Sequence, residues 1–394
     1  MKNALNKVAI TLLALLFAFI AGGAKISIAA PDIVKVGMPI PLSGPGAAIG
    51  QRFQKAAEMA IDDLNKIADG KMKFVPVVLD SRCSPDGAQT AAKKLILEDN
   101  VNVLVGELCG DATLAIKDLA GQYRVPLVVP DSSAINITEK GNPYTFRIMP
   151  NEVQQHVALA RVAVNYFKQK KFVVAYEQSS SGIGAGKAFI QEVTRLGATI
   201  LEEIALDRSS VDYSAVVTHI KALKPDAINL TLLLDPAVRF MKTLHEQGVK
   251  VPVYHSVWWP YPLFEHLSGP ASEGVVRELF YIDSSDYPAA ADFTKQFKAK
   301  YPGETPDFNH AQFYAAVRLA GEMAIKNGAD REAIRKGLTA IKDYKSAIGP
   351  LTFDEKGQSV MTTENIIFIQ TEKNGAVQIL DKLPNFDKKN ILGL

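Results

Sequence analysis

Two short apolar runs, each followed by a polar turn, constrain the fold of this chain more than any other feature. Residues 101–105 and 125–129 are rich in valine, and a helical pattern from Ala112 to about Tyr123 connects them. β-Branched side chains suit buried strands, so the segment predicts two parallel strands joined by a helix. The carboxyl ends of both strands then open at one edge of a sheet, where ligands of open α/β sheets bind.

The turns behind these strands supply the first candidate binding residues. Hydroxyl groups and the N–H groups at a helix N-terminus bind anions well. We therefore predict that Ser132 and Ser133 face a carboxylate; the alternative is that both serines only cap turns. The predicted wall of the cleft consists of Leu108, Cys109, Gly110, Asp111, Asp131, Ser132 and Ser133.

The strand–helix rhythm continues through most of the chain. It occupies residues 33–149 and starts again at residue 172, which predicts an α/β protein with two lobes, each a mostly parallel sheet flanked by helices. We expect residues 31–147 and 282–350 to form lobe 1, and residues 148–281 and 351–385 to form lobe 2. We expect residues 386–394 to be a loose C-terminal tail.

The first 29 residues have the layout of a secretory signal. Lys2 and Lys7 precede an apolar run over residues 8–21, and small residues follow up to Ala30. The run is too short for a membrane span. We expect cleavage of residues 1–29, release into the periplasm, and no lipid anchor, since no cysteine lies near the cleavage region. Loss of three lysines would take the formal net charge from +2 to −1, which argues against a nucleic-acid partner.

The chain has two cysteines, Cys83 and Cys109. An exported protein usually joins such a pair in a disulfide, which is the interpretation we favour over two buried thiols. The bridge would attach the loop after residue 80 to the cleft turn at Cys109.

No residue pattern in the chain indicates an enzyme. A G-x-S-x-G motif, a Cys–His pairing and a metal-ligand spacing among the six histidines are all missing from the sequence. The glycine-rich stretch 179–187 lacks the spacing of a phosphate loop, because Ser181 and Ala188 stand at two of its required positions. We expect binding without catalysis, metal or cofactor.

Several motifs in order along the chain carry a family resemblance. They are residues 41–45 (PLSGP), Cys83 with Gly106-x-Leu108-Cys109, Phe146-Arg147 with Pro150, Asp212-Tyr213, and residues 349–357 (GPLTFDEKG). With this set the chain resembles the type I periplasmic solute-binding proteins of the branched-chain amino acid group. The resemblance implies a two-lobed type I periplasmic binding protein fold with three hinge crossings, ligand capture by lobe closure, and delivery to an ABC permease in the inner membrane. We expect a monomer.

The resemblance also implies a binding site, and the chain departs from it. The family's serine after Leu108-Cys109 is Gly110 here, and Ser133 takes the place of a threonine that contacts the amino acid. The acidic partner of the ligand's ammonium group falls near Val257. Either Asp131, Asp111 or Asp235 replaces that partner, or the ligand has no amino group, because a buried ammonium without an acceptor is costly.

We expect the second wall of the cleft to be largely apolar. The family's three pocket tyrosines fall near Ile49, Ser181 and Leu233 or Leu234, and one of the two adjacent tryptophans should reach the pocket. Asp235 could instead be only a helix N-cap ahead of Pro236. The candidates for this wall are Ile49, Ser181, Leu234, Asp235, Val257 and Trp258.

The sequence thus favours a periplasmic solute-binding protein of an ABC importer. Its ligand would be a small carboxylate, either a branched-chain or other apolar amino acid or a related aromatic or aliphatic acid. The alternative is a periplasmic ligand sensor that reports to a membrane receptor without transport. A DNA-binding regulator with the same two lobes would need a helix-turn-helix where this chain has its signal segment.

Overall fold

The computed structural model describes residues 31–360, 362 and 364–393 of the chain. The predicted signal segment, residues 1–29, lies outside the described residues. The described strands form a five-stranded sheet, a seven-stranded sheet and a two-stranded ribbon. They are β1 Asp32–Ile40, β2 Met72–Asp80, β3 Val103–Val105, β4 Leu127–Val129, β5 Thr145–Arg147, β6 Lys171–Glu177, β7 Thr199–Leu206, β8 Ala227–Thr231, β9 Val253–His255, β10 Val275–Leu279, β11 Tyr344–Ser346, β12 Gly349–Leu351, β13 Ile367–Thr371 and β14 Val377–Ile379.

Twelve α-helices occur in the described part of the chain. None of them is at once long enough and apolar enough to span a bilayer. They are α1 Ala47–Ala68, α2 Pro85–Leu97, α3 Gly110–Gln122, α4 Glu152–Arg161, α5 Ser180–Arg195, α6 Ser214–Leu223, α7 Leu234–Glu246, α8 Leu263–Ser268, α9 Pro288–Lys300, α10 Phe308–Asn327, α11 Arg331–Thr339 and α12 Lys388–Leu392.

The five-stranded sheet is the centre of lobe 1, with strand order β2-β1-β3-β4-β5. The pairs β1–β3, β3–β4 and β4–β5 are parallel. Pro76 lies in β2, which is an edge strand. Proline has no N–H group to donate to a neighbouring strand, so an edge position suits it. Helices α1 and α10 pack closely on this lobe, where Phe53 stacks on Phe313 at 4.5 Å between ring centres. Gly321 permits this approach, since a methyl group there would lie 2.3 Å from a Leu64 methyl carbon.

The seven-stranded sheet is the centre of lobe 2, with strand order β14-β13-β10-β9-β8-β6-β7. Strands β6 to β10 pair in parallel, and β13 and β14 add two antiparallel pairings. Strand β14 was not predicted from the sequence. Because successive parallel strands carry their turns at one edge, the turns after β6, β7, β8 and β9 face the same direction.

The chain passes between the two lobes three times: after β5, after β10, where it returns to lobe 1 through α10, and before β13. Arg147, at the end of β5, is fully buried beside the first crossing. Its guanidinium donates hydrogen bonds to the Gln358 side-chain oxygen at 2.7 Å and to the Ala134 carbonyl at 2.6 Å. One side chain thus connects the first crossing, the last crossing and the turn after β4.

The C-terminal segment is not the loose tail that its polar composition predicted. Residues 388–392 form helix α12, whose N-terminus is capped by the Asp387 side chain. Ile391 and Leu392 are buried, and the Arg161 guanidinium donates to the Leu392 carbonyl. The prediction failed because two apolar side chains anchor the segment among four polar neighbours.

Candidate ligand-binding site

A cavity of about 140 Å³ lies between the two lobes, at the carboxyl ends of the strands. Both sheets contribute their turns to it, as the parallel topology requires. An apolar cavity of about 150 Å³ holds a molecule the size of benzene, so this one suits a small solute. Its lining consists of Ile49, Cys83, Ser84, Pro85, Leu108, Cys109, Gly110, Asp111, Asp131, Ser133, Glu177, Ser179, Ser181, Arg208, Leu233, Leu234, Trp258, Phe308 and Asn309.

The turn after β3 presents the N-terminus of helix α3 to the cavity. The helix begins at Gly110, so its first N–H groups have no partner within the helix. Behind the turn, the buried carboxyl group of Glu107 accepts hydrogen bonds from the Ser81 hydroxyl and the Cys109 N–H group. Burial raises the pKa of Glu107 to about 7, although these hydrogen bonds favour the charged form. Glu107 therefore holds the turn in place from inside the lobe.

The turn after β4 carries a hydroxyl group without a partner. Ser133 is 2% exposed, and its Oγ atom makes no hydrogen bond within the described residues. The backbone around it is fixed, because Arg147 donates to the Ala134 carbonyl and the Glu152 N–H group donates to the Ser133 carbonyl at 2.9 Å. A rigid turn thus offers a buried donor to whatever enters the cavity.

The predicted disulfide is present. Cys83 and Cys109 are joined, with their Cα atoms 5.4 Å apart. Both cysteines line the cavity. The bridge attaches the loop before α2 to the turn before α3, so two parts of the lobe 1 wall are covalently linked.

Asp131 and Asn309 form a buried polar pair on the same wall. The Asn309 amide donates to a carboxyl oxygen of Asp131. Burial raises the pKa of Asp131 well above its ordinary value, and the charge of Asp307 acts in the same direction. The amide oxygen of Asn309 has no partner in the described part of the chain. Among these described residues, no group of three or more His, Cys, Asp and Glu side chains could hold a metal ion.

On lobe 2, the N-terminus of helix α5 faces that of α3. Ser179 caps α5 by accepting a hydrogen bond from the Gly182 N–H group at 3.0 Å. A methyl group added at Gly110 would lie 2.5 Å from the Ser181 Oγ atom and 3.0 Å from that of Ser180. The missing side chain at Gly110 therefore lets the two lobes approach closely beside the cavity.

An ion pair completes the polar part of the lobe 2 wall. Glu177, at the end of β6, is buried and accepts a hydrogen bond from the Leu233 N–H group at 3.0 Å. Burial raises its pKa, while the Leu233 N–H and the Arg208 charge act in the opposite direction. The Arg208 guanidinium lies 3.5 Å from the Glu177 carboxylate, and its side chain is 43% exposed.

The rest of the lining is apolar, and it includes one of the two adjacent tryptophans. Trp258 lines the cavity. Trp259 lies in the lobe 2 core instead, stacked on His255 at 3.6 Å and donating its indole N–H to the Leu232 carbonyl. The indole hydrogen bond fixes Trp259 inside the lobe, whereas Trp258 faces the cavity.

The structure brings most of the sequence-predicted site residues to this cavity and leaves three out. Ser132 is buried with its carbonyl accepting from Arg147, and its hydroxyl does not reach the lining. Val257 is fully buried in the apolar core. Asp235 lies in the first turn of α7, not at its N-cap, and faces an adjoining surface pocket. Those in the lining are Ile49, Leu108, Cys109, Gly110, Asp111, Asp131, Ser133, Ser181, Leu234 and Trp258.

The sequence analysis missed several residues of the site. Arg208 follows the carboxyl end of β7, so the strand-end rule could have found it. Glu177 and Ser179 similarly lie at the carboxyl end of β6, whereas Leu233, named above as an alternative to Leu234, lines the cavity beside it. Phe308 and Asn309 begin helix α10, and nothing in the sequence links that helix to the cleft. The missed residues are Cys83, Ser84, Pro85, Glu177, Ser179, Arg208, Phe308 and Asn309.

Comparison with known proteins places the chain in a family. The model of a family described as "Periplasmic binding protein" matches residues 33–376. Leu/Ile/Val-binding protein homolog 3 of Brucella melitensis is 28% identical over 330 residues, which are 82% of this chain and 88% of the relative.

Solved structures agree with this match. The solute binding protein of an ABC transporter from Rhodopseudomonas palustris, in complex with 3,4-dihydroxybenzoic acid, is 26% identical with a TM-score of 0.77, covering 86% of this chain and 93% of that one. The branched-chain amino acid transporter substrate binding protein LivJ from Streptococcus pneumoniae, in complex with isoleucine, is 21% identical with a TM-score of 0.81, covering 88% and 99%. These likenesses confirm the predicted two-lobed α/β fold. The chain belongs to the periplasmic binding protein family, as its resemblance to the branched-chain amino acid group predicted.

Proposed function

We propose that this chain is the solute-binding protein of an ABC importer and captures a small carboxylate between its lobes. The observation that carries the proposal is the buried Ser133 hydroxyl, which lines the cavity without a partner in the described residues. A buried polar group without a partner costs stability, so a ligand atom that accepts its hydrogen bond is favoured.

The surroundings of Ser133 favour a negatively charged group. Helices α3 and α5, of 13 and 16 residues, both direct their N-termini toward the cavity. A helix N-terminus carries partial positive charge and free N–H groups, which stabilise a carboxylate. The apolar side chains of Ile49, Leu234 and Trp258 would then surround the remainder of the solute.

Capture would proceed by closure of lobe 2 over a ligand held first on lobe 1. Lobe 1 supplies Ser133, the N-terminus of α3 and the Asp131–Asn309 pair, whereas Ser181, Leu234 and Trp258 come from lobe 2. Closing removes water from the apolar surfaces, which drives the lobes together. The closed form would present a composite surface to an inner-membrane permease, with no chemical change to the ligand.

The relatives support the same class of ligand. A structure 26% identical to this chain holds 3,4-dihydroxybenzoic acid, and the Brucella relative is named as a homologue of Leu/Ile/Val-binding proteins. Both kinds of ligand carry a carboxylate. The signal-like residues 1–29 support export, so we propose that the protein works in the periplasm.

Calorimetric titration of the purified mature chain against apolar amino acids and aromatic and aliphatic acids tests the proposal. We expect at least one carboxylate to bind, and Ser133→Ala to weaken it about tenfold, the value of a hydrogen bond to a charged group. Ser132→Ala is the matched control, because that hydroxyl is also buried and unpartnered but does not line the cavity. If no carboxylate binds, or if both substitutions act equally, the proposed site is wrong.

A further inference from the structure

Arg208 gives the cavity a positive charge that the sequence analysis did not include. Among the described residues that line the cavity, Arg208 is the one lysine, arginine or histidine. The one acidic group within 4 Å of its guanidinium in the described chain is that of Glu177, at 3.5 Å. A guanidinium has five N–H donors, so most of them are available to another acceptor. The side chain is also 43% exposed and can reorient toward a solute.

Two of the three acidic residues in the lining already have partners. Glu177 accepts a hydrogen bond from the Leu233 N–H group and forms an ion pair with Arg208. Asp131 accepts a hydrogen bond from the Asn309 amide, and burial raises its pKa above the ordinary value. Because the Asn309 amide already occupies one oxygen of this carboxyl group, an ammonium group would compete with it.

The third acid, Asp111, is exposed in the first turn of α3. The helix N-terminus stabilises its charge, and water screens it. An ammonium group placed near Asp111 would therefore gain little from the pairing. In the cavity an ammonium group would thus meet the neutral amide oxygen of Asn309 and a screened carboxylate, whereas a carboxylate would meet Ser133, two helix N-termini and Arg208.

We propose that Arg208 pairs with the negative charge of the ligand, and that the ligand is an organic acid without an ammonium group. This inference rests on the proposed function and names its ligand class and a specificity-determining residue. Ser133 and Arg208 line the same cavity from different lobes, so a ligand carboxylate bound there would be attracted by the Arg208 charge. Because Arg208 belongs to lobe 2, the ligand's charge would also favour closure.

Matched pairs of ligands that differ only in the amino group test the ligand class. The pairs are leucine with 4-methylpentanoate and phenylalanine with 3-phenylpropanoate, and benzoate is added as a third acid. Of the two amine-free acids in these pairs, the one that binds more tightly should bind at least about tenfold more tightly than its matched amino acid. This ratio reflects the cost of burying an unpaired ammonium group. A preference for the amino acids would overturn the inference and leave the proposed function intact.

Variants test the role of Arg208. Arg208→Gln should weaken the best amine-free acid about tenfold, and Arg208→Lys, which keeps the charge, should weaken it less. Arg82→Gln is the matched control, because Arg82 is exposed next to the lining residue Cys83 and its loss changes net charge equally. Asp111→Asn removes a negative charge from the lining, so it should strengthen binding of the acid.

The outcomes separate the two proposals. Equal effects of Arg208→Gln and Arg82→Gln, with both variants unfolding at the wild-type temperature, would overturn the role of Arg208. With the amino acid of the same pair as the ligand, a loss of affinity in Asp111→Asn larger than that in Arg208→Gln would show that Asp111 pairs with its ammonium group, which would overturn the ligand class. If neither member of any pair binds, the proposed function itself fails.

Discussion

The two walls of the cavity are built in different ways. On lobe 1, the disulfide, the buried Glu107 and the buried Arg147 fix the turns that carry Gly110 and Ser133. On lobe 2, the turns are joined by hydrogen bonds and one partly exposed ion pair, Glu177 with Arg208. A rigid wall preserves the geometry of a binding site, and an adaptable wall can adjust as it closes. Under the proposed function, lobe 1 would fix the position of the ligand and lobe 2 would adjust around it.

The same contrast appears in two glutamates at strand ends. Glu107 and Glu177 each sit behind a turn that precedes a helix N-terminus, and burial raises the pKa of both. Glu107 has no positive side chain within ion-pair distance in the described chain, whereas Glu177 has Arg208 at 3.5 Å. Lobe 1 therefore holds its turn with a buried carboxyl group that has no ion-pair partner in the described chain. Lobe 2 holds its turn with an ion pair.

The largest effect should come from filling the space at Gly110. Gly110→Leu places a bulky side chain where even a methyl group would lie 2.5 Å from the Ser181 Oγ atom. We expect the lobes to stay apart and affinity to fall by roughly a thousandfold, or about 4 kcal/mol. Titration measures the loss, and small-angle scattering should show no compaction at saturating ligand. Ala222→Leu, at an exposed position of α6, is a control for the added side chain. Wild-type affinity in Gly110→Leu would show that the lobes need not meet there.

The second-largest effect should come from removal of the disulfide, and it should be confined to lobe 1. The Cys83→Ala/Cys109→Ala variant should lower the free energy of unfolding by about 3 kcal/mol, because the open loop gains entropy in the unfolded chain. Denaturant unfolding measures this change, and reduced wild-type protein should match the variant. Hydrogen exchange should increase around α2 and α3 and stay unchanged in β6–β9. An increase of equal size in both lobes would contradict the contrast between the walls.

The smallest effect should be a difference in pH dependence. Burial raises the pKa of Glu107 from 4.5 to about 7. Below pH 4.5 the carboxyl group is protonated in both states, and between pH 4.5 and 7 the unfolded chain releases its proton first. The free energy of unfolding should thus fall by roughly 2 kcal/mol as the pH rises from 4.5 to 7.

Glu107→Gln should remove this pH-dependent component. Glu177→Gln should remove less, because the Arg208 charge partly offsets the burial of that carboxylate. Denaturant unfolding at pH 4.5, 6 and 7.5 measures both variants beside the wild type. Equal slopes for Glu107→Gln and the wild type would mean that Glu107 does not titrate in this range.

How far the sequence predicted the molecule depends on how local each signal is. The apolar spacing of residues 51–65 predicts a helix, and in α1 Phe53, Ala56 and Leu64 are buried on the inner face as that spacing requires. Strands β3 and β4 were recognisable because a fully buried parallel strand is a continuous apolar run. Strand β14 was missed since only three residues pair at a sheet edge. Tertiary contacts, not propensity, determine such elements.

The same rule explains the site. Gly110 and Ser133 follow strands that the sequence identifies, so their position in the cavity could be predicted. Asn309 reaches the cavity only because α10 packs on α1, which no short-range pattern encodes. Val257 was placed in the site by analogy with a family position, but in the turn after β9 its side chain packs into the core. Trp258 faces the cavity and Val257 faces the core.

The buried guanidinium of Arg147 has a mechanical consequence. It contacts the carbonyl next to Ser133 and also Gln358, on the last segment to pass from one lobe to the other. If the proposed closure takes place, its pivot and the proposed ligand contact would therefore be parts of one stiff unit. Opening would then rotate lobe 2 about this unit, and release of the solute would not have to begin with a change in the contacts of Ser133.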